Sequence, residues 1–180
     1  MFDVKQIPPD IGYYLAGFAD GEGSFNVSFR PREDYPQGWK VSLCFNISQR
    51  DEVILALYKR WLQCGTMRRR SDGVWYYEVN NLEAIRQNVL PFFDRFGFLS
   101  AKKKRDYSKF KQLVELLEQK QERTPEGVRR ILEIRRDMND GGNRRYNDEQ
   151  ILGASQKSKS KGESPETIRQ DSQVKPANKI

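Results

Sequence analysis

Apolar and polar residues alternate without a break from Ser24 to Arg30, and again from Lys40 to Ser48. Phe25, Val27 and Phe29 share one side of the first run; Val41, Leu43, Phe45 and Ile47 share one side of the second. A period of two predicts two strands, each with one apolar and one polar face. The turn between them holds Pro36, Gln37 and Gly38, so the pair forms a hairpin. A second hairpin is predicted from residues 66–70 through Ser71-Asp72-Gly73 to residues 74–79. Elsewhere the spacing is helical. Pro8-Pro9-Asp10 opens a first helix with Asp10 as its N-cap. That helix carries Ile11, Tyr14, Leu15 and Phe18 and should stop in Asp20-Gly21-Glu22-Gly23, where glycine disfavours continuation. Residues 51–62 predict a second helix, with Val53, Leu57, Tyr58 and Trp61 at helical spacing. Residues 81–98 read as helix or turn broken at Pro91, and residues 102–121 as a long basic helix. Thr124-Pro125-Glu126 is a cap, an N1 proline and an early acid, opening a last helix through Val128, Ile131, Leu132 and Ile134.

The resulting order is αββαββα with further helices, an α+β architecture in which helices cover the apolar face of a four-stranded antiparallel sheet. The opposite face then presents Asn26, Ser28, Arg30, Arg32, Lys40, Ser42, Asn46, Arg68 and Arg70. A polar solvent face is ordinary for an antiparallel sheet. This one is enriched in the side chains that bond base edges and phosphates in a DNA major groove. Between Ser24 and Arg70 nine residues are basic and four acidic. Beyond residue 153 the chain turns rich in Ser, Lys and Gln and poor in apolar residues, so residues 1–153 read as one folded domain and 154–180 as a disordered tail.

Composition narrows the chemistry. The 180 residues hold 32 Lys and Arg against 25 Asp and Glu, a net charge of +7 that favours an anionic partner. There is no histidine, which removes Ser-His-Asp and Cys-His catalysis and His-ligated zinc. Two cysteines, Cys44 and Cys64, cannot build a disulfide framework or a cysteine-rich metal site. No apolar run approaches membrane-spanning length and the first residues are no signal peptide, so the expected setting is intracellular with no membrane partner. That setting would be a bacterial cytoplasm, or an organelle if the gene is organellar. An enzyme of this composition works through carboxylates, Lys, Arg or a hard metal ion.

The most specific stretch is Tyr13 to Phe25, YYLAGFADGEGSF. Leu15-Ala16-Gly17-Phe18-Ala19-Asp20-Gly21-Glu22-Gly23 resembles the nine-residue motif of the LAGLIDADG homing endonucleases, and the order of hairpins and helices over residues 8–145 is similar to that family as well. Independently of the family, Ala16 and Gly17 are small residues in a helix otherwise rich in bulky ones, and small residues let helix backbones approach closely. The motif occurs once in the chain, so a partner helix must come from a second copy, which predicts a C2 homodimer with Ala16 and Gly17 at its interface. The alternative is that both residues pack on the chain's own sheet.

The resemblance implies a homing-endonuclease-like fold and hydrolysis of both strands of a long pseudo-palindromic DNA site. Glu22 matches the acid that holds the divalent metal, with the Gly21 carbonyl oxygen beside it. Oxygen donors of this kind suit Mg²⁺, with Mn²⁺ as a substitute and Ca²⁺ binding without turnover. Asp20 matches a supporting acid and Gln49 a residue that orders solvent. Lys102 matches the lysine that stabilises charge on the phosphate, within a run of three lysines that leaves its register open. Lys103 and Lys104 are then phosphate contacts. Four positive charges at residues 102–105 would sit at a helix N-terminus against the macrodipole, which also points to a phosphate nearby. Relatives on this scaffold also act as maturases for intron RNA, and a non-cleaving DNA-binding regulator is a third role.

Overall fold

Strands β1 (Gly23–Pro31) and β2 (Trp39–Gln49) pair antiparallel along the whole of β1, with Phe25 opposite Phe45 and Gly23 opposite Ile47. The computed structural model describes residues 2–139 and 144–153. Strands β3 (Thr66–Arg69) and β4 (Trp75–Val79) form the second hairpin, and β4 docks on β2 to give the antiparallel order β1-β2-β4-β3. The expected tail, 154–180, lies outside the described residues.

The alternation becomes layering. Phe25, Phe29, Val41, Leu43, Phe45, Ile47, Tyr77 and Val79 are buried on one face, under the helices. Phe25 lies 5.2 Å from the Phe45 ring and 4.9 Å from that of Phe110, with Phe93, Phe98 and Tyr107 around it. A phenylalanine buried this fully stabilises the fold by roughly 2–3 kcal/mol.

Five helical segments cover that face. Helix α1 (Pro9–Glu22) begins on the proline at N1, with Pro8 as its cap residue. Asp10 lies inside the first turn as an acid near the positive end of the dipole, so the expected Asp10 cap is replaced by a proline start. The helix stops within Asp20-Gly21-Glu22-Gly23 as expected: Glu22 is its last residue, and the Gly23 N–H closes it on the Ala19 carbonyl. Its buried positions are Gly12, Leu15, Ala16 and Ala19. Helix α2 (Glu52–Leu62) is capped by Asp51, whose carboxylate accepts from the Val53 N–H at 2.9 Å. Pro91 does not break the next segment. Helix α3 (Leu82–Ala84) passes through a π turn, Ile85–Val89, directly into α4 (Leu90–Phe96), and Pro91 falls in the first turn of α4, where a missing N–H costs little. Helix α5 (Ala101–Glu118) buries Tyr107, Phe110, Leu113 and Val114. Helix α6 (Pro125–Arg136) starts as expected, with Thr124 Oγ1 accepting from Gly127. A helical turn at 148–153 returns to the β1–β2 hairpin, where the Trp39 indole donates to the Ile151 carbonyl at 3.1 Å. Among the described residues no helix is long and apolar enough to cross a membrane.

Candidate active site and nucleic-acid interface

The last turn of α1 runs straight into β1, so Asp20, Gly21 and Glu22 collect where helix layer and sheet meet. Asp20 reaches across to the start of α5. Its carboxylate accepts from the Leu99 N–H at 3.1 Å, the Ser100 N–H at 2.9 Å and the Ser100 hydroxyl. Ser100 in turn caps α5, its Oγ accepting from Lys103 N at 3.2 Å. This carboxylate answers part of the positive charge that the sequence places at that N-terminus, so the basic run does not depend on a phosphate alone.

Burial pushes the Asp20 carboxyl upward in pKa, but the bonds from Ser100 and Leu99 and the charge of Lys103 outweigh it and hold it below its ordinary value. A depressed carboxylate stabilises the fold above its unfolded pKa, and that stabilisation is lost as pH falls through the folded one. Asp20→Ala should therefore cost about 1–2 kcal/mol at neutral pH for hydrogen bonds to a charged, partly exposed acceptor. Urea unfolding at pH 7 and again near pH 3 checks this: the gap between wild type and variant should close in acid.

Lys103, not Lys102, enters the cluster. Its side chain is half-buried and its Nζ donates to the Gly23 carbonyl, at the first residue of β1. Burial lowers its pKa, while the carboxylates of Asp106, Asp20 and Glu22 act in the opposite direction. The register that the sequence left open is narrowed by this placement: Lys103 is the lysine that stands near Glu22, and Lys102 lies exposed on the neighbouring face of α5. Lys104 is exposed as well. Glu22 and Gly21 are exposed at the helix end. Gln49 lies two residues past Ile47, the partner of Gly23, so β2 carries it beyond the start of β1 toward the end of α1. Its Oε1 accepts from the Arg50 N–H at 2.7 Å.

The small residues of α1 divide between two tasks. A methyl at Gly12 would sit 2.2 Å from the Phe96 ring, so Gly12 is where α1 and α4 close on each other. Ala16 is 2% exposed and packs in the chain's own core, which removes it from the expected dimer contact. Gly17 is exposed, with nothing within 4 Å of a methyl built there. Tyr13 and Tyr14, 61% and 57% exposed, lie one turn earlier on the same face, a largely open apolar stripe in which only an edge of the Tyr13 ring meets Phe96, at 5.3 Å, among the described residues.

The sheet leaves its other face open. Register puts Ser28 opposite Ser42, Arg30 opposite Lys40, and Asn26 opposite Cys44. A continuous row crosses all four strands, Ser24–Asn46–Glu78–Thr66. Beside it runs Ser48–Tyr76–Arg68. Arg68 and Arg70 flank the Tyr76 ring, each guanidinium 5.2 Å from its centroid, and Arg70 Nη1 donates to the Tyr76 hydroxyl at 3.2 Å. Arg68 also lies 3.5 Å from Glu78, and Arg70 lies 3.2 Å from Asp72. Neither Tyr76 nor Glu78 was expected on this face. Arg32 leaves it: the residue lies in the turn past β1 and clamps Asp34 with bonds of 2.7 and 2.6 Å.

A family model described as LAGLIDADG endonuclease matches residues 15–114. The curated "Probable intron-encoded endonuclease 2" of Neurospora crassa is 29% identical over 132 residues, 71% of this chain and 29% of that protein. The homing endonuclease I-ApeII of Aeropyrum pernix is 30% identical over 103 residues, 56% of this chain and 60% of that protein. The chain thus spans less than two thirds of either relative. Among solved structures, the homing endonuclease I-TnaI superposes with a TM-score of 0.70 at 28% identity, covering 84% of this chain and 98% of that one. The meganuclease I-SmaMI bound to uncleaveable DNA gives a TM-score of 0.69 at 30% identity, covering 73% of this chain and 46% of that one.

Proposed function

The chain belongs to the LAGLIDADG endonuclease family, and from that premise we propose that it is a homing-type DNA endonuclease, working inside the cell as a homodimer on a long pseudo-palindromic site. The observation that carries this reading is the meeting of Glu22, Asp20 and the half-buried Lys103 where α1 joins β1, at one end of a basic open face.

The open face binds the duplex. A nine-residue β1 at ~3.3 Å per residue extends about 30 Å. At ~3.4 Å per base pair that is about nine base pairs for each subunit, or roughly 18–20 for the dimer. Arg30, Arg68 and Arg70 take guanine edges in the major groove, while Asn26, Ser28, Lys40, Ser42 and Asn46 add weaker or water-mediated contacts. Tyr76 holds Arg68 and Arg70 in place before DNA arrives. Arg68→Ala and Arg70→Ala should each cost about 1–3 kcal/mol of discrimination, each at its own base pair. Tyr76→Leu should relax both positions together. A cleavage profile over every single-base variant of the site reads this out, and a uniform loss at all bases would leave the strands holding only the backbone.

Among the described residues no three acidic or cysteine side chains come together in one chain, so no closed protein cage for a metal is present. One exposed carboxylate beside backbone carbonyls at a helix C-terminus, where the dipole favours cations, fits Mg²⁺, which keeps its waters and uses substrate phosphates as further ligands. Glu22 and the Gly21 carbonyl would hold it, and it would neutralise charge developing on the phosphate under attack. Lys103 adds a second positive charge on the same side, Asp20 fixes the start of α5 that carries Lys103, and Gln49 orders solvent for the incoming oxygen. Cutting should stop with EDTA, and Ca²⁺ should support binding without turnover.

The deciding experiment incubates the purified protein and Mg²⁺ with its own coding locus, with and without the surrounding insertion. A double-strand break in the uninterrupted locus alone is the expected result. Binding without a break would make it a regulator, and a requirement for it in splicing the intron RNA would make it a maturase.

A further inference from the structure

We propose that the outer edge of β1 carries a phosphate pocket built on Arg135, which seats a backbone phosphate of the duplex beside the base pairs that the strands cover. The proposal rests on the reading of the open face as a DNA surface. A cavity of about 310 Å³ lies along that edge, lined by Asn26, Ser28, Arg135, Asn139, Arg144 and Arg145 among others. Asn26 and Ser28 alternate onto the open face, so the cavity is continuous with it. Asn139 donates to the Phe25 carbonyl at 2.8 Å and to Asn26 Oδ1 at 3.3 Å, which ties the end of α6 to β1 and fixes the cavity wall.

Arg135 is what makes this a site and not a crevice. It is 6% exposed, with its guanidinium 5.2 Å from the centre of the Phe29 ring and its Nη2 donating to the Tyr146 carbonyl at 3.0 Å. Its Nη1 is buried and makes no hydrogen bond. The Asp148 Oδ1 atom stands 3.8 Å away, too far for one, and the other oxygen of that carboxylate is taken by Arg136 at 2.6 Å. A buried guanidinium with an unused donor is costly unless an acceptor completes it. Arg144 donates to the Arg135 and Arg136 carbonyls, so a second guanidinium is pinned beside the first. Burial, and then the charge of Arg144, pull the Arg135 guanidinium below its ordinary pKa, the direction that a neighbouring anion would reverse. Arg145 is exposed at the rim, against Tyr146. An oxyanion on a diester, carrying one charge and accepting several N–H bonds, matches this donor set. Duplex DNA lying along the sheet would bring such groups past this edge.

The test uses the full chain on its cleavage site, in Ca²⁺ to hold the uncut complex, with methylphosphonate replacing one phosphate at a time. In the wild type, neutralising one phosphate flanking the paired strands should weaken binding roughly five- to tenfold near ~0.1 M salt. It should also lower the slope of log affinity against log salt by about 0.9. Arg145→Gln should flatten the slope in the same direction, and Arg135→Met, checked for folding by its melting curve, should make binding blind to that one methylphosphonate. A scan with no such phosphate, or an effect that persists undiminished in a folded Arg135→Met, overturns the pocket while leaving the sheet's role intact. Loss of competition by a structured RNA in these variants, with duplex binding unchanged, also overturns it. Failure of the wild type to bind any duplex overturns the reading of the face itself.

Discussion

Glu22→Gln is expected to abolish cleavage, by at least about 10²–10³-fold, while the protein still shifts its DNA site at close to the wild-type concentration. The two halves of that result come from separate parts of the structure. Glu22 is exposed at the end of α1, so the isosteric amide leaves the packing of the helix on the sheet untouched. What the amide removes is one unit of negative charge and the hard oxygen donor that a divalent cation prefers. The face that grips the duplex is carried by β1 to β4 and keeps every arginine. Lys103 also loses an attractive charge, although Asp20 and Asp106 remain beside it. Gel shifts in Ca²⁺ and time courses in Mg²⁺ on the same preparation separate the effects. Cleavage at the wild-type rate would falsify the assignment of Glu22, and parallel loss of binding would mean that the carboxylate serves folding.

Much of this site could be read from the chain before any coordinates, and the parts that could not share a cause. The hairpins were legible because Phe25, Val27, Phe29 and Val41 to Ile47 keep a period of two, which sets both the faces and the pairing. The second hairpin was less so: Trp75-Tyr76-Tyr77 are all aromatic, so only Glu78, two residues on, marked the face that Tyr76 shares, and nothing local placed its ring between two arginines. Three successive lysines open α5, about 100° apart around the helix. Composition cannot choose among them, and only the position of the Gly23 carbonyl selects Lys103. The helical run past Pro91 defied local propensity because its surroundings decided it. A π turn absorbs the proline. The Arg135 pocket joins residues more than a hundred positions apart, where no local pattern reaches.

Gly17→Leu should convert the protein from dimer to monomer, with dissociation at least about 100-fold easier, roughly 2.7 kcal/mol, and with no double-strand cleavage. Ala16 no longer argues for the interface, since the chain's own core covers it. The case rests on Gly17, open to solvent beside the largely exposed Tyr13 and Tyr14 on one face of α1. In a C2 pair the same patch meets itself, so each substitution enters the interface twice. The monomer, by contrast, has room: a methyl at Gly17 meets nothing within 4 Å, and leucine favours a helix over glycine by about 0.8 kcal/mol. The variant should therefore keep the far-ultraviolet dichroism of the wild type and bind half of the site. Gly12→Leu is the contrasting control, because its side chain would drive into the Phe96 ring and unfold the packing of α1 on α4. Sedimentation at micromolar concentration decides between these accounts. A Gly17→Leu protein that stays dimeric and cuts would place the partner elsewhere, and a wild type that sediments as a stable monomer would remove the need for one.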